Sequence, residues 1–568
     1  MRKLAWFAVF FAASALFLFS VPERIRPLLW PAPFALFAAL ALTFLIHSGN
    51  AFRMRFLRLA LLGFGFGFLY SLLWFQWTQA ELKPLLDTEQ TVEALVLEDS
   101  TEASFGMRTD IRVGHLRCTL FTDGTAPMEA GQRIRVRAAF RSTLEKTNSD
   151  YSLTLGVPLF GYAREAPEII GTGDADWRFL PARIGARLRD RIKTIFDRNS
   201  AAFLLAVLTG DRSALSRDTW FYSMLRASGA AHCVAVSGMH LSFLVMFLYV
   251  FLGRGKISAC VCIPLTILFM AMTGFSASVI RAGVMQIAVC GAKVSRKQYD
   301  SLTALGLALL ILVLLNPYSI RNAGLILSFS STLGILLFYP DIRNGLPAHP
   351  KRWNKHSIGA RLWNGVQSSL GISLSSAVFT TPLIALFFRQ ISLLAPLTNL
   401  LILWAVSMCF CFGLACVLIS FLSLPAGELF RYPVGLLVAY IREVVGRIGA
   451  FPAASLYIRS LYLPCWLCVT WICMAVFRFL PGLTHRTGSF LITAVLGLAL
   501  FLGLSWLEPA LTEANRFCAL DVGQGQCLIL TGTGSTIMMD CGGSLYTDAG
   551  DLAAEYLFAQ GRFRIRFP

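Results

Sequence analysis

GDRSALSRDTWFYSMLRASGAAHCVAVSGMH, residues 210–240, leads directly into the apolar run Leu241 to Leu252 and decides what kind of chain this is. The stretch passes from a polar turn through a short helix into a hydrophobic segment whose mouth carries His232, Ser237, Gly238 and His240. No water solvates such groups in a bilayer core, so polar residues at that depth are costly and are kept where helices break or line a cavity. The pattern reads as the opening of a membrane domain with functional positions at its rim.

Composition agrees. The 568 residues are 56% hydrophobic and 14% charged, whereas a soluble globular protein carries about 25% charged residues. A net charge of +18 fits Lys- and Arg-rich cytoplasmic loops first and an anionic partner, lipid headgroup or nucleic acid, second. Most of the fourteen cysteines lie in apolar runs, among them Cys260, Cys262, Cys409, Cys411, Cys416, Cys465, Cys468 and Cys473. They read as small core hydrophobes and not as a disulfide framework or a zinc site.

Working outward, residues 1–77 hold three spanning candidates, Leu4 to Phe19, Leu28 to Ile46 and Phe56 to Trp74. Arg2 and Lys3 before the first, with Arg53, Arg55 and Arg58 after the second, place the N-terminus in the cytoplasm and the following segment outside. Residues 78–178 are polar and alternate as strands over Thr91 to Leu97, Asp110 to Val113, Leu116 to Phe121 and Gln132 to Phe140, which predicts a small all-β, OB-like domain. A period of two sets Arg133, Arg135 and Arg137 on one strand face. That stripe reads as a DNA-backbone contact or, equally, as an ordinary solvated face, and no aromatic residue lies within it to serve base stacking. Residues 179–200 form a basic amphipathic helix, with Ile184, Leu188, Ile192 and Ile195 opposite Arg183, Arg187, Arg189, Arg191 and Lys193, expected at an anionic lipid surface.

From residue 201 to 507 further spans are expected at Cys233 to Leu252, Ile257 to Gly274, Ser278 to Ala292, Leu302 to Leu315, Gly324 to Phe338, Leu370 to Phe388, Leu397 to Phe421, Leu461 to Phe477 and Phe490 to Trp506. The fold class is therefore a polytopic α-helical membrane protein of about 11–13 spans. Tyr432 to Ile448 is apolar but carries Arg442, Glu443 and Arg447, which leaves the side of the tail open. Arg281, inside TGFSASVIRAGVM, must pair, reach water or meet an anion. Ser328 in LSFSST, Ser373 to Ser376 and Asn399 add hydroxyl and amide groups, although small polar residues often serve only close helix packing. Ser237 with His240 is a poor hydrolase, lacking a nearby acid and the GxSxG turn; helix capping is the simpler role.

The strings GDRSALS, GAAHCVAVSGMH, TGFSASVIRAG, NPYSIRNAGLILSFSSTLG and LLAPLTNLL resemble signatures of the ComEC family of DNA-internalisation channels. Ile326 stands where that family usually has Gln, and Gln526 where it usually has Asp after VGQG. The resemblance implies an inner-membrane channel for single-stranded DNA, supplied by an external receptor and served inside by a helicase and strand-binding machinery. Its path would be shaped by His232, Ser237, Gly238, His240, Arg281, Ser328 and Asn399; a homo-oligomer is left open. Residues 508–568 resemble the opening strands of a metallo-β-lactamase-like domain. No His follows His485, so the HxHxDH motif that holds divalent metal in that domain is lacking, and the ending GRFRIRFP suggests a truncated, frameshifted or split reading frame. No cofactor and no catalytic residue is expected of this chain. The alternatives are a membrane-anchored metallohydrolase or nuclease, a small-solute transporter and a non-functional gene product.

Overall fold

The structure, a computed structural model, describes residues 2–45, 51–86, 89–102, 106–123, 127–143, 149–163, 165–171, 177–347, 357–451, 454–457, 499, 503, 516–522, 525–532, 536–542 and 549–559. The expected spans Leu461 to Phe477 and Phe490 to Trp506 lie outside these residues, apart from 499 and 503. Internal contacts divide the chain into two compact units. One comprises Met1–Tyr222, Ala231–Phe329 and Leu401–Val444; the other comprises Ser223–Ala230, Ser330–Leu400 and Val445–Pro568.

The first unit opens with α1 (Lys3–Ser20), α2 (Pro31–Leu45) and α3 (Ala51–Leu82). A side chain on Gly67 of α3 would sit 2.6 Å from the Phe11 carbonyl and 2.3 Å from Ser14 Oγ of α1, so only glycine lets these backbones meet. Phe11, Ala15, Leu18, Phe68 and Leu72 fill the seam.

After α3 the chain becomes a β-structure of β1 (Glu89–Val96), β2 (Thr101–Glu102), β3 (Met107–Val113), β4 (Leu116–Thr122), β5 (Arg133–Ser142), the short helix α4 (Ser149–Thr154), β6 (Leu159–Ala163) and β7 (Glu168–Gly171). Pairing runs β1-β3-β4-β6-β5 and returns from β5 to β1, so five strands close into a ring. Every pair in it is antiparallel except β4 with β6. Alternation fills the inside with Ile111, Val113, Cys118, Leu120, Ile134, Val136, Ala138 and Leu159.

Helix α5 (Leu180–Ile195) follows. Its Ile192 and Ile195 are buried within the protein, Arg191 lies 4.9 Å over the Phe421 ring, and Arg189 Nη2 bonds Asp99 at 2.6 Å. Then come α6 (Arg198–Leu204), α7 (Ser213–Ser216), α8 (Thr219–Ala227), α9 (Gly238–Leu252), α10 (Lys256–Met272), α11 (Ala277–Val294), α12 (Ser301–Leu315) and α13 (Ala323–Gly345). The expected span from Cys233 begins instead at Gly238, because Ala231–Cys233 is a 3-10 turn and Ser237 is the N-cap. Asp300 caps α12 by accepting the Thr303 N–H at 3.0 Å, and Asn316-Pro317 ends it.

The second unit holds α13 from Ser330 onward, all of α14 (Ile358–Phe388), then β8 (Gln390–Ser392), which pairs with β9 (Ser455–Tyr457). In sequence between those strands come α15 (Ala395–Leu422), α16 (Leu424–Leu429) and α17 (Arg431–Gly449), of which Leu401–Val444 belongs to the first unit. Farther on, β10 (Arg516–Ala519), β11 (Cys527–Thr531) and β12 (Thr536–Cys541) form an antiparallel sheet, and α18 (Ala549–Ala559) packs on it through Ala549, Ala553 and Leu557.

Among the described residues six helices are long and apolar enough to cross a membrane: Lys3–Ser20, Met54–Leu85, Ala277–Val294, Ala323–Gly345, Ile358–Phe388 and Ala395–Leu422. Pro31–Thr43, Gly238–Leu252, Lys256–Met272 and Ser301–Leu315 are apolar but shorter. Helix α17 is in neither group; its Arg442 donates to Asp218 Oδ2 at 2.7 Å and stacks 4.4 Å over Phe221.

Candidate path-shaping site

Three of the singled-out strings converge in the first unit. Gly210, in the left-handed region at φ +83, ends the π-helical turn after α6, and its Cβ position lies 3.3 Å from Val236 Cγ2 and 3.8 Å from Thr273. Ser278 Oγ, at the start of α11, donates to the Val236 carbonyl at 3.1 Å. The turn before α7, the approach to α9 and the start of α11 are thereby held at one place. The barrel reaches the same place, since Glu98 Oε1 lies 3.5 Å from the Cβ position of Gly274.

Arg281 sits one turn into α11 from Ser278. Its Nε donates to Ser328 Oγ of α13 at 2.8 Å, and Nη1 lies 3.8 Å from Met285 Sδ. Gly238, the first residue of α9, faces this guanidinium: a Cβ there would stand 3.0 Å from Arg281 Nη2 and 3.0 Å from Ala282 Cβ. The absence of a side chain at 238 is what admits Arg281 to the mouth of α9. An arginine in that position is a fixed positive charge with several donors, suited to a passing anion that must be met and then released.

His240 is buried and capping in character. Its Nδ1 accepts the Ser237 backbone N–H at 3.2 Å and lies 3.3 Å from Ser237 Oγ. Its ring is packed 6.0 Å from Phe243 and 6.1 Å from Phe410, and Nε2 has no hydrogen-bond partner among the described residues. Ser237 and His240 thus tie off the N-terminus of α9. His232 is exposed, with Nε2 3.6 Å from Cys233 Sγ.

Asn399 belongs to the second unit. Its Nδ2 donates to Ser373 Oγ at 3.1 Å, while its Oδ1 is buried with no partner among the described residues. Nearby, Ser331 Oγ and Ser376 Oγ are 2.9 Å apart. Ser375 is fully buried and bonds the Gly371 carbonyl of its own helix at 2.5 Å, which is the packing role of a small hydroxyl.

The barrel stripe is of mixed charge. Arg135 pairs with Glu93 at 3.0 Å and Glu168 at 3.5 Å, and Arg137 with Glu89 at 3.6 Å; Arg133 lies at the exposed end of β5. Sequence reasoning also missed Asn316 and Asn322. Asn316 Nδ2 donates to the Leu153 carbonyl at 2.8 Å and the Thr154 carbonyl at 3.2 Å, so α4 of the barrel is seated on the α12–α13 connection. Their only signal was their place in NPYSIRNAG. Among the described residues no group of three or more His, Cys, Asp or Glu side chains is placed to hold a metal ion.

Such an arrangement defines a multi-pass membrane protein with a β-barrel-like insert seated on its helices. The family described as Competence protein matches residues 207–484, which encloses the whole convergence of Gly210, Val236, Thr273, Arg281 and Ser328. ComE operon protein 3 of Bacillus subtilis (strain 168) is 23% identical over 358 residues, 61% of this chain and 43% of that protein. The chain therefore spans less than half the length of that curated relative. No solved structure matches it. These likenesses support a ComEC-type competence family, with the family match covering residues 207–484.

Proposed function

We propose that the chain is an inner-membrane conduit through which single-stranded DNA enters the cell during transformation. The observation that carries this reading is Arg281, held by Ser328 and admitted by Gly238 at the point where three family strings meet. A sugar-phosphate backbone needs cationic and hydroxyl guidance without tight retention. One arginine with a serine supplies that. His232, Ser237 and His240 shape the mouth, and Asn399 with Ser373 supplies amide and hydroxyl groups in the second unit. The ring order and the parallel β4–β6 pair support an OB-like barrel. On this reading the barrel faces the outside, receives the strand from a DNA receptor, and passes it to a helicase and strand-binding proteins in the cytoplasm.

The segment from β10 to α18 is, on the same reading, the opening of a metallo-β-lactamase-like domain. In this chain Asp540 Oδ1 is engaged by the Cys541 N–H at 3.0 Å, and with Asp521 it falls short of a two-metal ligand set. No step is assigned to a metal.

The test is Arg281→Ala in a transformable host, with protein level held equal to the unaltered chain. Uptake should fall at least tenfold, and Arg281→Lys, which keeps the charge but loses the Nε donor, should fall in between. Unchanged transformation by Arg281→Ala would remove the residue from the path.

A further inference from the structure

An irregularity in β12 brings two thiols face to face. Ile529 of β11 pairs with Met538 and Leu528 with Met539, but Cys527 pairs with Cys541, so Asp540 is an extra residue with no register partner on β11. It stands at φ +54, in the left-handed region, where a side chain strains the backbone. Strict alternation from Met538, which packs with Ile529 under α18, would turn Cys541 to the opposite face of the sheet. The bulge turns it back, and Cys527 and Cys541 both join the cluster under α18.

The Gly542 N–H donates to the Gln526 carbonyl at 3.1 Å. That bond makes Cys527 and Cys541 a non-hydrogen-bonded pair, the narrow kind, whose Cα atoms stand about 4.5 Å apart. A disulfide bridges such a span. The Sγ atoms are 3.8 Å apart, and both are free thiols, Cys527 buried and Cys541 half-buried. Cys518 of β10 lies opposite Ile529, which sets it diagonal to Cys527 at about 7–8 Å, too far to bridge.

We propose that Cys527 and Cys541 are a redox-active dithiol, closed by a small-molecule disulfide such as oxidised glutathione into a staple between β11 and β12. The more accessible Cys541, as thiolate, attacks one sulfur of the small disulfide. That S–S bond breaks, and the departing thiolate takes up the proton that Cys541 gave up. Cys527, as thiolate, then attacks the Cys541 sulfur, the mixed disulfide breaks, and the second small thiol leaves with the Cys527 proton. Two electrons and two protons pass from the protein to the reagent, and an excess of small thiol reverses both steps. The staple works whether or not the chain conducts DNA.

The experiment equilibrates the full chain in lipid nanodiscs across a series of reduced-to-oxidised glutathione ratios, traps it with N-ethylmaleimide and maps peptides by mass spectrometry. Peptides joined through Cys527 and Cys541 should appear as the ratio falls and vanish with dithiothreitol. Cys541→Ser should abolish the joined pair, while Cys518→Ser leaves its midpoint ratio within about threefold. Bridging should also slow amide hydrogen exchange in β12 by roughly tenfold. Two maleimide-labelled thiols in fully oxidised glutathione overturn the dithiol, as does a lasting glutathione adduct on Cys541 or a bridge from Cys527 to Cys518. Bridging with no change in β12 exchange overturns the staple.

Discussion

The Asn322 side-chain amide donates to Thr154 Oγ1 at 2.9 Å in a buried contact, while its Oδ1 accepts the Leu325 N–H and caps α13. One residue therefore starts a membrane helix and grips the barrel's α4 at once. Loss of the amide removes this buried hydrogen bond, at a cost of about 0.5–1.5 kcal/mol. We expect Asn322→Ala to loosen the barrel from the helices, read as faster proteolysis between residues 143 and 159. Thr154→Ser should keep the bond and resist like the unaltered chain. Equal protease resistance of Asn322→Ala would show that the grip lies elsewhere.

Gly238 predicts a steep size dependence. Alanine there meets Arg281 Nη2 at 3.0 Å, a contact relieved by a few tenths of an ångström of guanidinium movement. Valine leaves no such room. Transformation should fall severalfold for Gly238→Ala and to background for Gly238→Val at equal protein level. A fully active Gly238→Val chain would sever the link between α9 and Arg281.

Asp218 and Arg442 give a pH test. Burial alone would raise the Asp218 carboxyl, but the hydrogen bonds from Arg442 and from the Phe221 N–H outweigh it and hold it below the ordinary carboxylate value. A lowered folded value means the contribution is present above the unfolded value near pH 4 and is lost as pH falls through the folded one. The side chains are 30% and 23% exposed, so the pair contributes about 1 kcal/mol. The melting temperature of the detergent-solubilised chain should exceed that of Asp218→Asn by a constant margin from pH 5 to 8, and the margin should shrink progressively as pH falls below 4. A margin that does not shrink below pH 4 would assign the difference to packing.

Gly106 stands at φ +66, and a Cβ there would lie 1.8 Å from the Thr122 carbonyl oxygen. Gly106→Ala should destabilise the barrel by about 1–3 kcal/mol. The buried Cys118 thiol reports this: maleimide labelling should rise about tenfold or more over the unaltered chain. An unchanged labelling rate would mean that the turn yields without strain.

The strands of the barrel were legible because a half-buried strand alternates: Arg133, Arg135 and Arg137 against Ile134, Val136 and Ala138 announce β5. Its ring closure was not, since nothing local in Leu116–Thr122 indicates a parallel partner at Leu159–Ala163. For the same reason the glutamates that meet Arg135 and Arg137 went unseen. In the helical part, Arg281 and Ser328 stood out as polar groups in apolar runs, and they do bond. The boundary at Cys233 was misjudged because apolar content continues through the 3-10 turn and extended link that precede Ser237. Asn399 joined the other positions only by its polarity; its observed partner is Ser373.

The parallel pairing of β4 with β6 has a temporal consequence. A ribosome releases Leu116–Thr122 well before Leu159–Ala163, so during synthesis β4 waits with one flank unsatisfied while some forty further residues emerge. The insert stays an open, adhesive ribbon through that interval. Closure coincides with delivery of α4, just ahead of β6, so the domain can shut before Asn316 and Asn322, which fasten α4 to the helices, have been made.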